Sequence, residues 1–248
     1  MGMFDFLFDK QKSQSKQIEK LRKKLINIWL QNPDRNYAAE QLRDIGTPEA
    51  ITALLGRFKV NVKNTTFDNE EKLYIYDMLV AKGGEVVEVI QEHVRKESHQ
   101  VNWPMKVLDD LMEGAEMADF IKSLLLDMDV DYERDPEKKE QLILRAKSFT
   151  SHTDLIMEVV RFTVDDNESI RFVAVNHCLE REEDWVVEAL RQNLTLEDSV
   201  RILNEVCKRF VEKGWVAFNG EDEEIRLRLA ERLPREYFLD DDNKIQLK

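Results

Sequence analysis

Apolar residues recur along most of this chain at spacings of three and four, the signature of one-sided helices. In residues 18–30 the stripe is Ile18, Leu21, Leu25, Ile28 and Trp29, and the opposite face is basic. Gln31-Asn32-Pro33-Asp34 stops that helix, since proline forbids continuation and aspartate offers a new N-cap. A second helix begins near Arg35, turns Tyr37, Ala38, Leu42 and Ile45 inward, and ends at Gly46, the residue best suited to a left-handed C-terminal conformation. Thr47 caps a third, with Pro48 at its first position and Glu49 at the positive end of its dipole. Ile51, Leu54, Leu55 and Phe58 continue the stripe, and a turn this short folds the new helix back against the previous one.

The plan repeats. Residues 68–82 carry Leu73, Tyr76, Leu79 and Val80, break at Gly83-Gly84, and resume with Val86, Val87, Ile90 and Val94. Residues 102–112 carry Val107, Leu108, Leu111 and Met112, and after Glu113-Gly114 the stripe returns as Met117, Phe120, Ile121, Leu124 and Leu125. Residues 135–149 open with Pro136, turn at Thr150-Ser151, and resume with Ile156, Val159, Val160 and Thr163. Residues 167–179 carry Ile170, Val173, Ala174 and Cys178, turn through Glu182-Glu183-Asp184, and resume with Trp185, Val186, Ala189 and Leu190. Hairpins of about 30–35 residues that cannot each bury both helices must stack on their neighbours. The predicted fold is therefore all-α, an α-solenoid of about five stacked helical hairpins. A four-helix bundle prefers fewer and longer helices, and the alternative is a compact non-repeating helical domain.

After Leu196 a longer helix carries Val200, Leu203, Val206, Cys207, Phe210 and Val211. The period then changes. Residues 214–220 are aromatic and bounded by glycine, a strand or an extended cap; 223–233 form a helix stopped by Pro234; and 237–239 and 244–247 read as two short strands about a polar turn. The predicted organisation is an apolar and basic capping region over 1–34, helical repeats over 35–195, and a C-terminal helix with a capping unit over 196–248.

The stretch Arg35-Asn36-Tyr37-Ala38-Ala39-Glu40-Gln41-Leu42-Arg43-Asp44-Ile45-Gly46-Thr47-Pro48-Glu49-Ala50-Ile51, with Leu54-Leu55 following, resembles the HEAT repeat family in its short form named after phycobilisome lyases. It matches that family's Arg-x-x-Ala, Leu, Gly, short turn, Ala-Ile and Leu-Leu pattern. Ile170-Arg171-Phe172-Val173-Ala174 and Ile225-Arg226 are weaker echoes, and the middle hairpins match in periodicity alone. The resemblance implies a right-handed curved stack with the second helix of each pair on the concave side. It is specific for fold and nearly silent on function.

Composition narrows the function classes. With 8 Gly and 5 Pro in 248 residues, the chain lacks the punctuation of an all-β fold. Thirty-seven Lys and Arg against 50 Asp and Glu give a formal charge of −13, a field that repels nucleic acid. The exception is residues 10–24, where Lys10, Lys12, Lys16, Lys20, Arg22, Lys23 and Lys24 oppose only Glu19. Cys178 and Cys207 lie in apolar patterns as small hydrophobes. MGMFDFLFDK lacks a secretory apolar core and cleavage site, Phe6 stands where a Gly2 myristoylation signal needs Ser or Thr, and no apolar run is long enough to span a bilayer. A cytoplasmic location is expected. Phe4, Leu7 and Phe8 followed by a basic helix would suit peripheral contact with an anionic membrane, or would cap the first hairpin.

No phosphate loop, HExxH or paired CxxC spacing occurs, so no catalytic, cofactor or metal residue is assigned. The scattered His93, His99, His152 and His177 are read as solvent-facing or capping residues, and adjacent His177 and Cys178 diverge by about 100° on a helix. The acidic runs are read as solvated faces, or as attractants for a basic partner. Trp103, Trp185 and Trp215 sit at helix starts or repeat boundaries, where packing is the plain reading; Trp185, beside an acidic cluster, is the candidate exposed anchor. The second helices carry Glu88, Glu92, Lys122, Asp127, Glu158, Arg161 and Glu188, a mixed or acidic set that fits poorly with the basic concave surface of HEAT-like alkylpurine DNA glycosylases. The expected function is a non-enzymatic scaffold presenting a concave helical surface to a protein or peptide, with Trp185, Glu88, Glu92, Glu158 and Arg161 as partner-binding residues and no cofactor. The alternative is a phycobilisome-lyase-like enzyme or accessory factor acting on a cofactor-bearing protein.

Overall fold

The computed structural model describes residues 3–220 and 222–248, and the side chains of those from residue 11 onward. Among them the chain is mostly helical, with one small antiparallel sheet. It divides into two compact units, Met1–Met117 and Ala118–Lys248.

In the first unit α1 (Met3–Leu25) packs on α2 (Asn32–Ile45) and α3 (Pro48–Leu55) through Ile18, Leu21 and Leu25. α4 (Thr65–Val80), α5 (Val87–Lys96) and α6 (Asn102–Leu111) follow, and the first turn of α7 (Gly114–Leu126) closes the unit. First helices pack on first helices, α2 on α4 and α4 on α6, while α3 packs on α5. Gly46 stands at φ +66 and closes α2 as its left-handed cap, and Thr47 accepts from the Ala50 amide to open α3.

The second unit repeats the scheme with α8 (Glu137–Ala146), α9 (Thr153–Arg161), α10 (Glu168–Cys178), α11 (Asp184–Leu196), α12 (Val200–Lys213) and α13 (Glu223–Arg232). Here α8 packs on α10, α10 on α12, and α11 on α13. β1 (Tyr237–Leu239) and β2 (Ile245–Leu247) form the expected terminal hairpin, and Val216 bridges to Lys244, so the aromatic segment after α12 is an extended cap. Val206, Phe210, Ala217, Leu229 and Ile245 join one core, so the cap seals the last helices.

Several side-chain hydrogen bonds span 31–34 residues. Tyr74 bonds Glu40 and Tyr76 bonds Asp110, each 34 residues apart; Lys122–Asp154, Lys147–Glu180 and Lys213–Glu182 are 32, 33 and 31 apart.

Several stripe assignments are corrected. α1 ends at Leu25, because the Asn27 side chain accepts from the Trp29 amide (3.0 Å) and turns the chain; Trp29 is 83% exposed and Ile28 is also exposed. Tyr37 is 55% exposed because Arg35, Ala38, Ala39 and Leu42 fill the inward face. Leu73 points out at 49%, since the buried face of α4 runs through Asp68, Glu71, Lys72, Ile75, Met78 and Leu79. Val200 is exposed beside its cap Ser199, with Ile202, Leu203 and Val206 inside. His93, expected to face solvent or cap a helix, is buried, and so is His177; burial, with Arg181 and Lys147 nearby, pushes His177 down to about 4 and keeps it neutral.

Cys178 and Cys207 are free and fully buried, and burial pushes both thiols up to about 12. Neither should react with a disulfide reagent in the native protein, and both should react once it unfolds. Prompt labelling of either thiol under native conditions would contradict this packing. Among the described residues, no helix is long and apolar enough to cross a membrane.

Candidate functional site

Charged side chains near the starts of α2, α8 and α10 tie those helices to other segments of their own unit. In each case a cation reaches back to carbonyl oxygen of the preceding loop and forward to a carboxylate further along the chain. Arg35 bonds the carbonyls of Leu30 and Asn27 and then Glu71. Lys139 bonds Asp129 O at 2.7 Å and Asp165 at 2.9 Å. Arg171 bonds Asp165 O at 2.8 Å and grips Glu197 with two parallel bonds of 2.8 and 2.9 Å.

In the second unit this framework encloses a polar recess of ≈ 650 Å³. Its walls are the 3-10 turn Phe162–Val164, the loop leading into α10, the C-terminal turn of α11 and the loop leading into α12. Asn167 and Ser199 sit in these loops as N-caps, accepting from Ser169 and Ile202 amides respectively. Each cap follows an acidic pair, Asp165-Asp166 and Glu197-Asp198.

The floor is buried and internally paired. Asp165 lies between Lys139 and the Asn167 amide (2.8 Å). Glu197 accepts from Arg171 and from the amides of Ser199 (2.8 Å) and Asp198 (3.1 Å). Burial by itself would raise the Glu197 carboxyl; Arg171 and the Ser199 amide outweigh it and hold the group below the ordinary carboxylate range. Bonding to Glu197 raises Arg171 in turn, so the pair stays ionised.

Asn193, 1% exposed, lines the recess. Its amide nitrogen donates to Thr163 O at 2.9 Å and to Glu197 at 3.4 Å, which fixes the orientation of the group. Its Oδ1 has no hydrogen-bond partner among the described residues, although a buried acceptor without a donor costs about 1–3 kcal/mol. Asp166, Glu168 and Asp198 are exposed at the rim; Glu168 accepts from the Ser199 hydroxyl (3.0 Å) and pairs with Arg201 (3.3 Å). Thr163 donates its hydroxyl to Val160 O, so both hydroxyls already have acceptors. The recess is thus an electronegative surface, suited to a cation. Among the described residues no three His, Cys, Asp or Glu side chains are placed to hold a metal ion.

The residues singled out from sequence lie elsewhere. Glu88 and Glu92 are exposed on α5 and, with Pro48 and Thr52 of α3, line a groove of ≈ 550 Å³ in the first unit. Lys96 pairs with Glu92 at 2.8 Å and holds its carboxyl below the usual range. Glu158 and Arg161 of α9 pair with each other, and Arg161 also reaches Met128 O at 3.2 Å. Trp185, in the first turn of α11, is 36% exposed and lies outside the recess. Trp103 stacks on Phe58 (5.6 Å between ring centres) and Trp215 packs edge-on against Phe210 (5.4 Å), both as packing residues. The side chains of Phe4, Leu7 and Phe8 lie outside the described residues. Sequence reading passed over Asp165, Asp166, Asn193, Glu197 and Asp198, yet a signal for the rim exists: two acidic-pair-then-cap motifs one repeat apart. No known family model, curated protein or solved structure matches the chain.

Proposed function

We propose that the chain is a HEAT-like helical-repeat interaction module that binds a basic segment of a protein partner without chemical turnover. The observation that carries this reading is the acidic recess of the second unit, with Asp166, Glu168 and Asp198 exposed at its rim. A lysine or arginine side chain supplies the positive charge the rim attracts. The ion-paired floor favours such binding because its charges are already held in place, so little ordering remains to oppose association. The recurring 31–34-residue offset and the in-order packing within each unit support the repeat assignment. Two buried free thiols suit a reducing, cytoplasmic setting. Glu88, Glu92 and Trp185 are secondary anchors in this proposal.

Fluorescence anisotropy with a labelled lysine- and arginine-rich peptide tests it. The wild-type chain should bind this peptide and not its glutamate counterpart, with affinity falling as salt rises. Asp166→Lys with Asp198→Lys should weaken binding at least about tenfold. Equal binding of both peptides, or no effect of the rim substitutions, would refute it.

A further inference from the structure

The first unit carries a surface of opposite sign. Lys12, Lys16, Lys20, Lys23 and Lys24 are exposed on α1, and with Ser15 they line an open groove of ≈ 650 Å³. Ile18, Leu21 and Leu25 occupy the buried side of the same helix, so the lysines have no role in its packing. Between residues 11 and 25 the one carboxylate is Glu19, already held by Arg22 (2.7 Å) and Lys23 (3.5 Å). Lys12, Lys16, Lys20 and Lys24 have no carboxylate partner among the described side chains from residue 11 onward. In a chain of formal charge −13, a segment with six Lys and Arg against one Glu over residues 11–25 holds a local field contrary to the average.

An aromatic anchor stands just past this helix. Trp29, at 83% exposure the most open large apolar side chain among the described residues, follows the end of α1 by four positions, with exposed Ile28 beside it. The Asn27 side chain fixes the turn that presents it. Tryptophan prefers the headgroup level of a bilayer, where its ring is half immersed and its N–H stays wet. Lysines on an amphipathic helix supply attraction to anionic lipids, and the two effects add. The sequence ahead of the lysines, Met3-Phe4-Asp5-Phe6-Leu7-Phe8, is rich in the residue types that insert into that layer.

We infer that this face of α1, with Trp29, docks on an anionic phospholipid surface. The attraction is charge-complementary and salt-sensitive, and the tryptophan contributes the apolar share. This proposal is independent of the acidic recess in the second unit, and its test uses no peptide ligand.

Flotation of the full chain with vesicles of phosphatidylcholine and phosphatidylserine, and with vesicles of phosphatidylcholine alone, decides it. The chain should float with the first and not the second, and high salt should release it. Lys12→Gln, Lys16→Gln, Lys20→Gln and Lys24→Gln together should lower partitioning on the order of a hundredfold or more, with an unchanged helical circular dichroism spectrum and melting curve. Binding should shift tryptophan emission to the blue, and Trp29→Phe should abolish that shift. Equal recovery with both vesicles, partitioning unmoved by the four substitutions, or a heparin fragment bound as tightly as the anionic vesicles would overturn it, the last by showing a general polyanion patch.

Discussion

Glu71→Ala should lower the free energy of unfolding by about 3–5 kcal/mol, measured as the shift of a denaturant transition. Glu71 is the hub of a buried ionic cluster. Its carboxylate accepts from Arg35 (2.9 Å), from Arg57 (3.0 Å) and from Asn32 (2.8 Å), while Arg57 also donates to Asp68 at 2.8 Å and Lys72 pairs with Asp68 at 2.7 Å. Arg57 is fully buried and Arg35 nearly so. Removing the carboxylate leaves buried Arg35 without a carboxylate and Arg57 with Asp68 alone, and a buried charge stripped of its partner costs far more than the intact pair contributes. Burial alone would raise Glu71 and Asp68, but hydrogen bonds and charge from Arg35 and Arg57 on the first, and from Lys72, the Val62 amide and Arg57 on the second, hold both below the ordinary range. With native values depressed, their stabilisation is fully present above the unfolded carboxyl values near 4 and is lost as pH falls through the native ones. The wild-type chain should therefore lose stability below about pH 4 more steeply than Glu71→Ala does. Equal acid sensitivity of the two proteins would place the labile group elsewhere.

Lys139→Ala should destabilise the second unit by a similar margin, about 3–5 kcal/mol. Its ammonium and the Asp165 carboxylate are both fully buried and 2.9 Å apart, and the same ammonium donates to Asp129 O. Alanine strands the Asp165 charge beneath the recess and frees a carbonyl. Lys139→Arg keeps the charge but needs space for a planar fork, so it should fall between wild type and alanine. A second consequence separates this pair from an ordinary core defect: Asp165 anchors the Asn167 amide at the mouth of α10, so basic-peptide binding should weaken along with stability. Unfolding midpoints and anisotropy on the same samples check both. An alanine variant of wild-type stability would show that the pair is not held as described.

Legibility in the sequence followed a physical divide. Where burial is achieved with apolar side chains, periodicity located it: Leu42, Leu54, Ile90, Leu108, Ile156 and Phe210 are all inside. Pro48, Gly46 and Gly214 marked helix boundaries because their backbone preferences act within a few residues. The pattern failed where charge is buried. On α4 the inward face is half ionic, so hydropathy selected Leu73, which is exposed, and passed over Glu71. It failed again at Trp29 and Tyr37, whose apolar rings matched a helical stripe although one lies past a side-chain-driven turn and the other beside two alanines.

The candidate site was still less visible. Arg35 and Arg171 were noticed as parts of a repeat motif, but their work is done on Glu71 and Glu197, 36 and 26 residues further on. Sequence alone determined the helical class, several helix caps and the segregation of charge, because each depends on neighbours within one or two turns. Which carboxylates are buried and paired, which amide oxygen is left without a donor, and which tryptophan stands in the open were decided by tertiary structure. Those properties are sums over side chains a full repeat apart, whose approach no local pattern encodes.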